Sequence, residues 1–181
     1  EVVKDDETPF TVNVEKIPTL RPAFNKDGLV TAATSSSISD GAAALVMMTE
    51  AQAKKRGAKP LARMVAQASN AHEPEWFTTA PVGAIQKVLA KAGWKAGEVD
   101  LYEVNEAFAV VTMAAMKDIG IPHDKVNVNG GAVAMGHPIG ATGARIMTTL
   151  IYALKKRGLK KGVAALCIGG GEATAVALEV L

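Results

Sequence analysis

The sequence predicts an α/β fold: a mixed, mostly parallel five-stranded sheet with helices on both faces. Strand-like runs alternate with helix-like runs along most of the chain, the pattern of successive strand–helix–strand units. Of the 181 residues, 49% are apolar and only 4% aromatic. The core must therefore be filled by Ala, Val, Leu, Ile and Met, whose small size lets helices and sheets approach closely. The last two strand-like runs are joined only by Gly169-Gly170-Gly171-Glu172, short enough to make them an antiparallel pair.

Residues 1–28 are polar and carry Pro9, Pro18 and Pro22. They read as a loop arm or linker from an upstream region, and residues 29–181 as the folded domain. A short strand is expected over 29–33. Asp40 is a plausible N-cap for a helix running to the stop at Gly57. Its first turns, 42–48, are apolar all round, so that helix should be buried on every side. A second strand covers 61–68. Thr78 or Thr79 then caps a helix with Pro81 in its first turn; Ile85, Val88, Leu89 and Ala92 recur at helical spacing, and Gly93 ends it. A third strand over 99–104 runs directly into a helix over about 106–117. A strand near 126–128 leads through a Gly-rich turn into a long helix over about 139–156. Strands over 163–168 and 173–181 close the chain.

The formal charge of +2 is too small to make nucleic acid or an anionic membrane the main partner. The basic run Lys155, Lys156, Arg157, Lys160 and Lys161 reads as a solvated helix end. The single cysteine, Cys167, excludes an internal disulfide framework and fits a reducing, cytoplasmic location. No apolar run approaches the ~18 residues that span a bilayer, and the charged start is unlike a secretory leader.

In open α/β sheets, ligands gather beyond the carboxyl ends of the strands. Three such ends carry unusual polar residues. Asn105 follows the strand over 99–104; His137 lies in the Gly-rich segment 129–145; Cys167 directly precedes three glycines. Each also has a plain structural reading: Asn105 as a helix cap, His137 as a cap or buried hydrogen bonder, Cys167 as an inert core thiol. The glycines favour chemistry, because backbone N–H groups there can turn towards a developing oxyanion. A nucleotide-binding reading fails: the Gly136, Gly140 and Gly143 spacing fits neither dinucleotide nor P-loop patterns. No metal site is expected, since His72, His123, His137 and Cys167 offer no pair at ligand spacing. His72 and His123, in polar loops, should be exposed.

Asn105-Glu-Ala-Phe-Ala109, the stretch 129–145 around Gly136-His137-Pro138, and Cys167-Ile-Gly-Gly-Gly-Glu-Ala173 together resemble the three C-terminal signatures of thiolases. Their order and separation match, and the similarity runs from about Leu20 to Leu181. Within that family the chain resembles the bacterial acetyl-CoA acetyltransferases most. The resemblance implies one half of the thiolase fold, and Claisen chemistry on coenzyme A thioesters, forming or cleaving acetoacetyl-CoA through an acyl-cysteine. No covalently bound cofactor is implied.

The resemblance also implies roles for individual residues. His137 would activate the nucleophilic thiol. Asn105 would hold a water in an oxyanion hole with it. Cys167 would serve as the acid/base for the α-proton, and the N–H of Gly169 would donate to a second oxyanion hole. Ser36 would hydrogen-bond the pantetheine arm, with Phe108 beside it. The family usually has Asn-Ala-Ser-Gly where this chain has Thr34-Ser35-Ser36-Ser37, which would strain Ser37 if that position needs φ > 0.

Thiolases use two cysteines, and the acylated one belongs to a preceding half. One cysteine, and a start inside a polar arm without Met, lead us to expect a C-terminal half. It would be inactive alone, would require an N-terminal half bearing the nucleophile, and would form a homo-oligomer when complete. A 3-ketoacyl-CoA thiolase of β-oxidation and a non-catalytic half-domain are the alternatives. A fatty-acid-type ketosynthase is disfavoured, since those relatives place histidine at position 105 and no cysteine at 167.

Overall fold

The computed structural model describes residues 2–6 and 8–181; positions 1 and 7 of the expected arm lie outside the described residues. Four strands, β1 (Ala62–Ala71), β2 (Leu101–Val104), β3 (Lys161–Ile168) and β4 (Glu172–Val180), form one sheet in the order β1-β4-β3-β2. β4 pairs antiparallel with both β1 and β3, whereas β2 pairs parallel with β3. The expected strand–helix alternation and the final antiparallel hairpin are present. The expected five strands and mostly parallel sense are not.

Two of the six strand-like runs fail to join the sheet, for local reasons. Residues 29–33 give only a 3-10 turn, Ala32–Thr34, in which the Thr31 and Thr34 side chains cap each other's backbone. Residues 126–128 make only isolated bridges, Tyr102 to Val126 and Val128 to Gly130. The interruption is Asn127, whose φ of 47° leaves the extended region. Its carboxamide accepts from Val104 N at 2.9 Å and donates to Val104 O at 2.8 Å. A side chain thus supplies to β2 what a neighbouring strand's peptide would supply.

The α-helices longer than a single turn among the described residues are α1 (Glu50–Lys55), α2 (Ala80–Ala92), α3 (Ala109–Ile119) and α4 (Thr142–Arg157). The helix expected from Asp40 shrinks to α1, capped by Thr49, whose hydroxyl accepts from Gln52 N at 3.3 Å. Residues 40–49 instead run without helix or ladder, and Val46 is 89% exposed. A short apolar run does not reveal its own period, and without a surface to bury it nothing sustains a helix there.

Period-two alternation assigns the faces. Val163, Ala165 and Cys167 of β3 and Ala173, Ala175 and Ala177 of β4 pack with Ala84, Ile85 and Val88 of α2 and Val111 of α3. Ala164, Leu178 and Val180 pack on the opposite face against Ile146, Leu150 and Leu154 of α4. Helices therefore cover both faces, as expected, and the alanines of β4 allow the close approach of α2. β2 and β3 are parallel, so their carboxyl ends open on one edge, and Asn105 and Cys167 come to it together.

Candidate active site

Asn105 is 1% exposed. Its N–H continues the parallel ladder by donating to Ala165 O at 2.9 Å, which fixes the side chain at the sheet edge. Its amide Nδ2 lies 3.4 Å from His137 Nε2. His137 follows a single helical turn, Ala132–Met135, and Gly136 at φ 92° turns the chain before it. A Cβ at position 136 would also run into the Ser39 hydroxyl. The His137 N–H donates to Ser37 O at 2.9 Å, and its Nδ1 is 2.7 Å from Thr142 Oγ1. Burial, aided by the nearby Arg145 guanidinium, holds the imidazole below its ordinary pKa and favours the neutral ring.

Cys167 sits near the end of β3, 7% exposed, within the core cluster on the α2 face. Burial pushes its thiol pKa up, opposed by a backbone hydrogen bond to the sulfur. Gly169 opens the exposed turn after β3, with open space where a side chain would stand. Gly170 and Gly171 complete it at φ 107° and 89°, values that L side chains rarely adopt.

Residues 35–38 join two of these loops. Ser35 bridges to Phe108 and Ile38 to His137. The Ser36 hydroxyl and N–H both donate to Ala107 O, at 3.0 and 3.1 Å. Ser36 is thereby held beside Phe108, with the hydroxyl hydrogen directed to the protein. Phe108 makes edge contacts with Phe24 and Phe77, at centroid separations of 6.4 and 6.2 Å. Ser37 takes no positive φ; among the described residues only Asn127 does so without being glycine. The described residues contain no group of three or more metal-ligating side chains. His123 is exposed, but His72 is half-buried, its Nε2 2.8 Å from Trp76 O.

The residues behind this edge escaped the sequence reading. Glu103, 2% exposed, faces Arg145 of α4 at 3.6 Å, and Arg145 Nη2 donates to Asn105 Oδ1 at 3.4 Å. Burial raises the Glu103 carboxyl to about 7, against the pull of Arg145 and with a push from Glu106. The available signal was the single carboxylate within Leu101–Val104, a strand otherwise without charge.

Comparison with known proteins agrees with this geometry. The model of the thiolase C-terminal domain matches residues 58–180, and that of the thiolase N-terminal domain matches residues 1–51. The chain belongs to the thiolase family. As a thiolase it is 51% identical over 179 residues to a probable acetyl-CoA acetyltransferase of Dictyostelium discoideum, covering 99% of this chain and 43% of that protein. It is 52% identical over 175 residues to an acetyl-CoA acetyltransferase of Allochromatium vinosum, covering 96% and 44%. The crystal structure of the Bacillus anthracis acetyl-CoA acetyltransferase superposes with a TM-score of 0.93 at 47% identity, covering 97% of this chain and 45% of that one. Human mitochondrial 3-ketoacyl-CoA thiolase in complex with CoA gives 0.87 at 38% identity, covering 94% and 43%. This thiolase chain thus spans less than half the length of these relatives.

Proposed function

We propose that the chain supplies the second catalytic half of an acetyl-CoA C-acetyltransferase, working with an N-terminal region that bears the nucleophilic cysteine. The observation that carries this reading is the convergence of Asn105 and His137 at 3.4 Å, with Cys167 on the adjoining strand just before the triple glycine. Relatives at about half identity named acetyl-CoA acetyltransferase support the substrate class.

In this reading a neutral His137 takes the proton of the nucleophilic thiol as it attacks acetyl-CoA. The carbonyl oxygen gains negative charge and is stabilised by a water held by Asn105, and free coenzyme A leaves with the proton of Cys167, which becomes the thiolate. Cys167, as thiolate, then removes a proton from the methyl group of a second acetyl-CoA. The resulting enolate oxygen is stabilised by the N–H of Gly169. The enolate carbon attacks the acyl-cysteine, giving acetoacetyl-CoA and releasing the nucleophile, which is reprotonated. Ser36 and Phe108 flank the pantetheine arm.

The arm over 1–28, the folded domain over 29–181, homo-oligomeric assembly and a cytoplasmic setting belong to the same proposal. Complementation tests it. The chain is refolded with the N-terminal half of the Allochromatium vinosum enzyme, and thiolysis of acetoacetyl-CoA is followed. Activity that needs both parts is expected. A well-formed complex that binds coenzyme A yet shows neither acylation nor thiolysis overturns the proposal in favour of a non-catalytic module. Turnover of long-chain 3-ketoacyl-CoA in preference to acetoacetyl-CoA would instead indicate a β-oxidation thiolase.

A further inference from the structure

A line of hydrogen bonds crosses the site from Arg145 to Pro138, and its direction is not symmetric at the two ends. Arg145 Nη2 reaches Asn105 Oδ1 at 3.4 Å, Asn105 Nδ2 reaches His137 Nε2 at 3.4 Å, and His137 Nδ1 reaches Thr142 Oγ1 at 2.7 Å. A guanidinium can only donate. Facing it, Asn105 must present its oxygen, so its NH2 turns to His137. Nε2 of the ring then accepts, and the ring proton resides on Nδ1, donated to the Thr142 oxygen.

At the far end, Pro138 O already receives the N–H groups of Ala141 and Thr142, at 2.8 and 2.9 Å, with Thr142 Oγ1 at 3.0 Å. The Thr142 hydroxyl can therefore direct its hydrogen to Pro138 O or to His137 Nδ1 without leaving that carbonyl unpaired. Reversing the whole line, with Asn105 flipped and the ring proton on Nε2, would make one bond fewer, since the Thr142 hydrogen leaves Pro138 O for Nδ1, but would strand no group between Asn105 and Pro138. Pro138 O keeps two N–H donors in either direction, so the larger difference lies at the Arg145 end, where a flipped Asn105 would turn its NH2 on the guanidinium.

We infer that Arg145, balanced by the buried Glu103, is a positioning residue that sets the direction of this line and keeps the lone pair of neutral His137 on Nε2. Glu103 supplies the countercharge that a partly buried guanidinium requires. Among the described residues, Glu103 Oε1 and Arg145 Nη1 make no hydrogen bond, so the pair acts through its 3.6 Å charge contact, and Nη2 is left to address Asn105. The inference rests on the thiolase reading only for its catalytic consequence, since a lone pair on Nε2 is what a base needs.

The test is the 15N spectrum of the 181-residue chain labelled at histidine. It is recorded on sedimented protein by magic-angle spinning, so that self-association does not matter, and the His137 signals are identified by their loss in His137→Gln. The wild-type ring is expected to be neutral near pH 7 with its proton on Nδ1, and Arg145→Lys, which keeps a cationic donor, should preserve that. In the double variant Arg145→Met with Glu103→Gln, which leaves no charge buried, the Nε2–H form should become populated. A merely structural role for Arg145 would lower stability without moving the proton. An Nδ1–H form unchanged in the double variant overturns the inference. So does a wild-type ring protonated on Nε2, a result that decides even if the double variant fails to fold. Failure of complementation with an Nδ1–H wild-type ring would count against the catalytic reading alone.

Discussion

Cys167 and His137 are expected to fail at different steps when each is removed. With the nucleophile-bearing half present, Cys167→Ala should still form the acetyl-enzyme from radiolabelled acetyl-CoA, while condensation falls by ~10²-fold or more. His137→Ala should slow acylation itself, by ~10²–10⁴-fold. Equal burst labelling in wild type and His137→Ala would remove the imidazole from its assigned role. Glu103 gives a pH signature. Its carboxyl is raised from the ordinary range to about 7 in the fold. Between the two values the native chain binds more protons than the unfolded one, so stability falls as pH rises through that window and levels off above it. Urea unfolding at pH 5, 6 and 7 should show this decline, and Glu103→Gln should flatten it. At this scale the sequence pointed to Asn105, His137 and Cys167 as candidates, because polar residues at strand ends stand out against apolar runs. It did not yield Arg145 or Thr142, since their partners are set by the packing of α4 on the sheet and not by neighbours in the chain.

Elements with local punctuation were read closely. Pro81 and Gly93 bracket α2, and the glycines between β3 and β4 announce the hairpin; each acts on its own backbone. Gly171 shows how strong that constraint is. It sits at φ 89°, and a Cβ there would strike the carbonyl of His72 beyond β1. Gly171→Ala should therefore destabilise the chain by on the order of 1–2 kcal/mol from backbone conformation alone, with more from the clash. Chemical denaturation checks it, and a variant as stable as wild type would mean the turn relaxes freely. Elements whose fate depends on distant surfaces were misread. Residues 42–48 fit a buried helix by composition, yet they form neither helix nor ladder, because the described chain offers them no matching face. The strand over 126–128 failed on one residue, Asn127, whose side-chain competition with the backbone is invisible to hydrophobic pattern.

The whole chain should behave as an incomplete body. Ile38, Val46 and Met47 are 94%, 89% and 59% exposed, and the unladdered stretch around the latter two offers free backbone groups as well as apolar surface. We expect the purified chain to self-associate in light scattering and to bind an apolar dye. We also expect it to give no acetoacetyl-CoA thiolysis until the N-terminal half is added. A dye-silent monomer, or turnover by the chain alone, would contradict this. The association should have a preferred side. Asn127 occupies both hydrogen-bonding positions of Val104 at 2.9 and 2.8 Å, so the outer margin of β2 is insulated there against an incoming peptide. Any ordered stacking of these molecules should grow from β1 or from the loose stretch before α1. The proposed catalytic rim of β2 would stay unobstructed even inside an assembly, and replacing Asn127 with an ordinary strand former such as Val should open a second growth front and speed polymerisation.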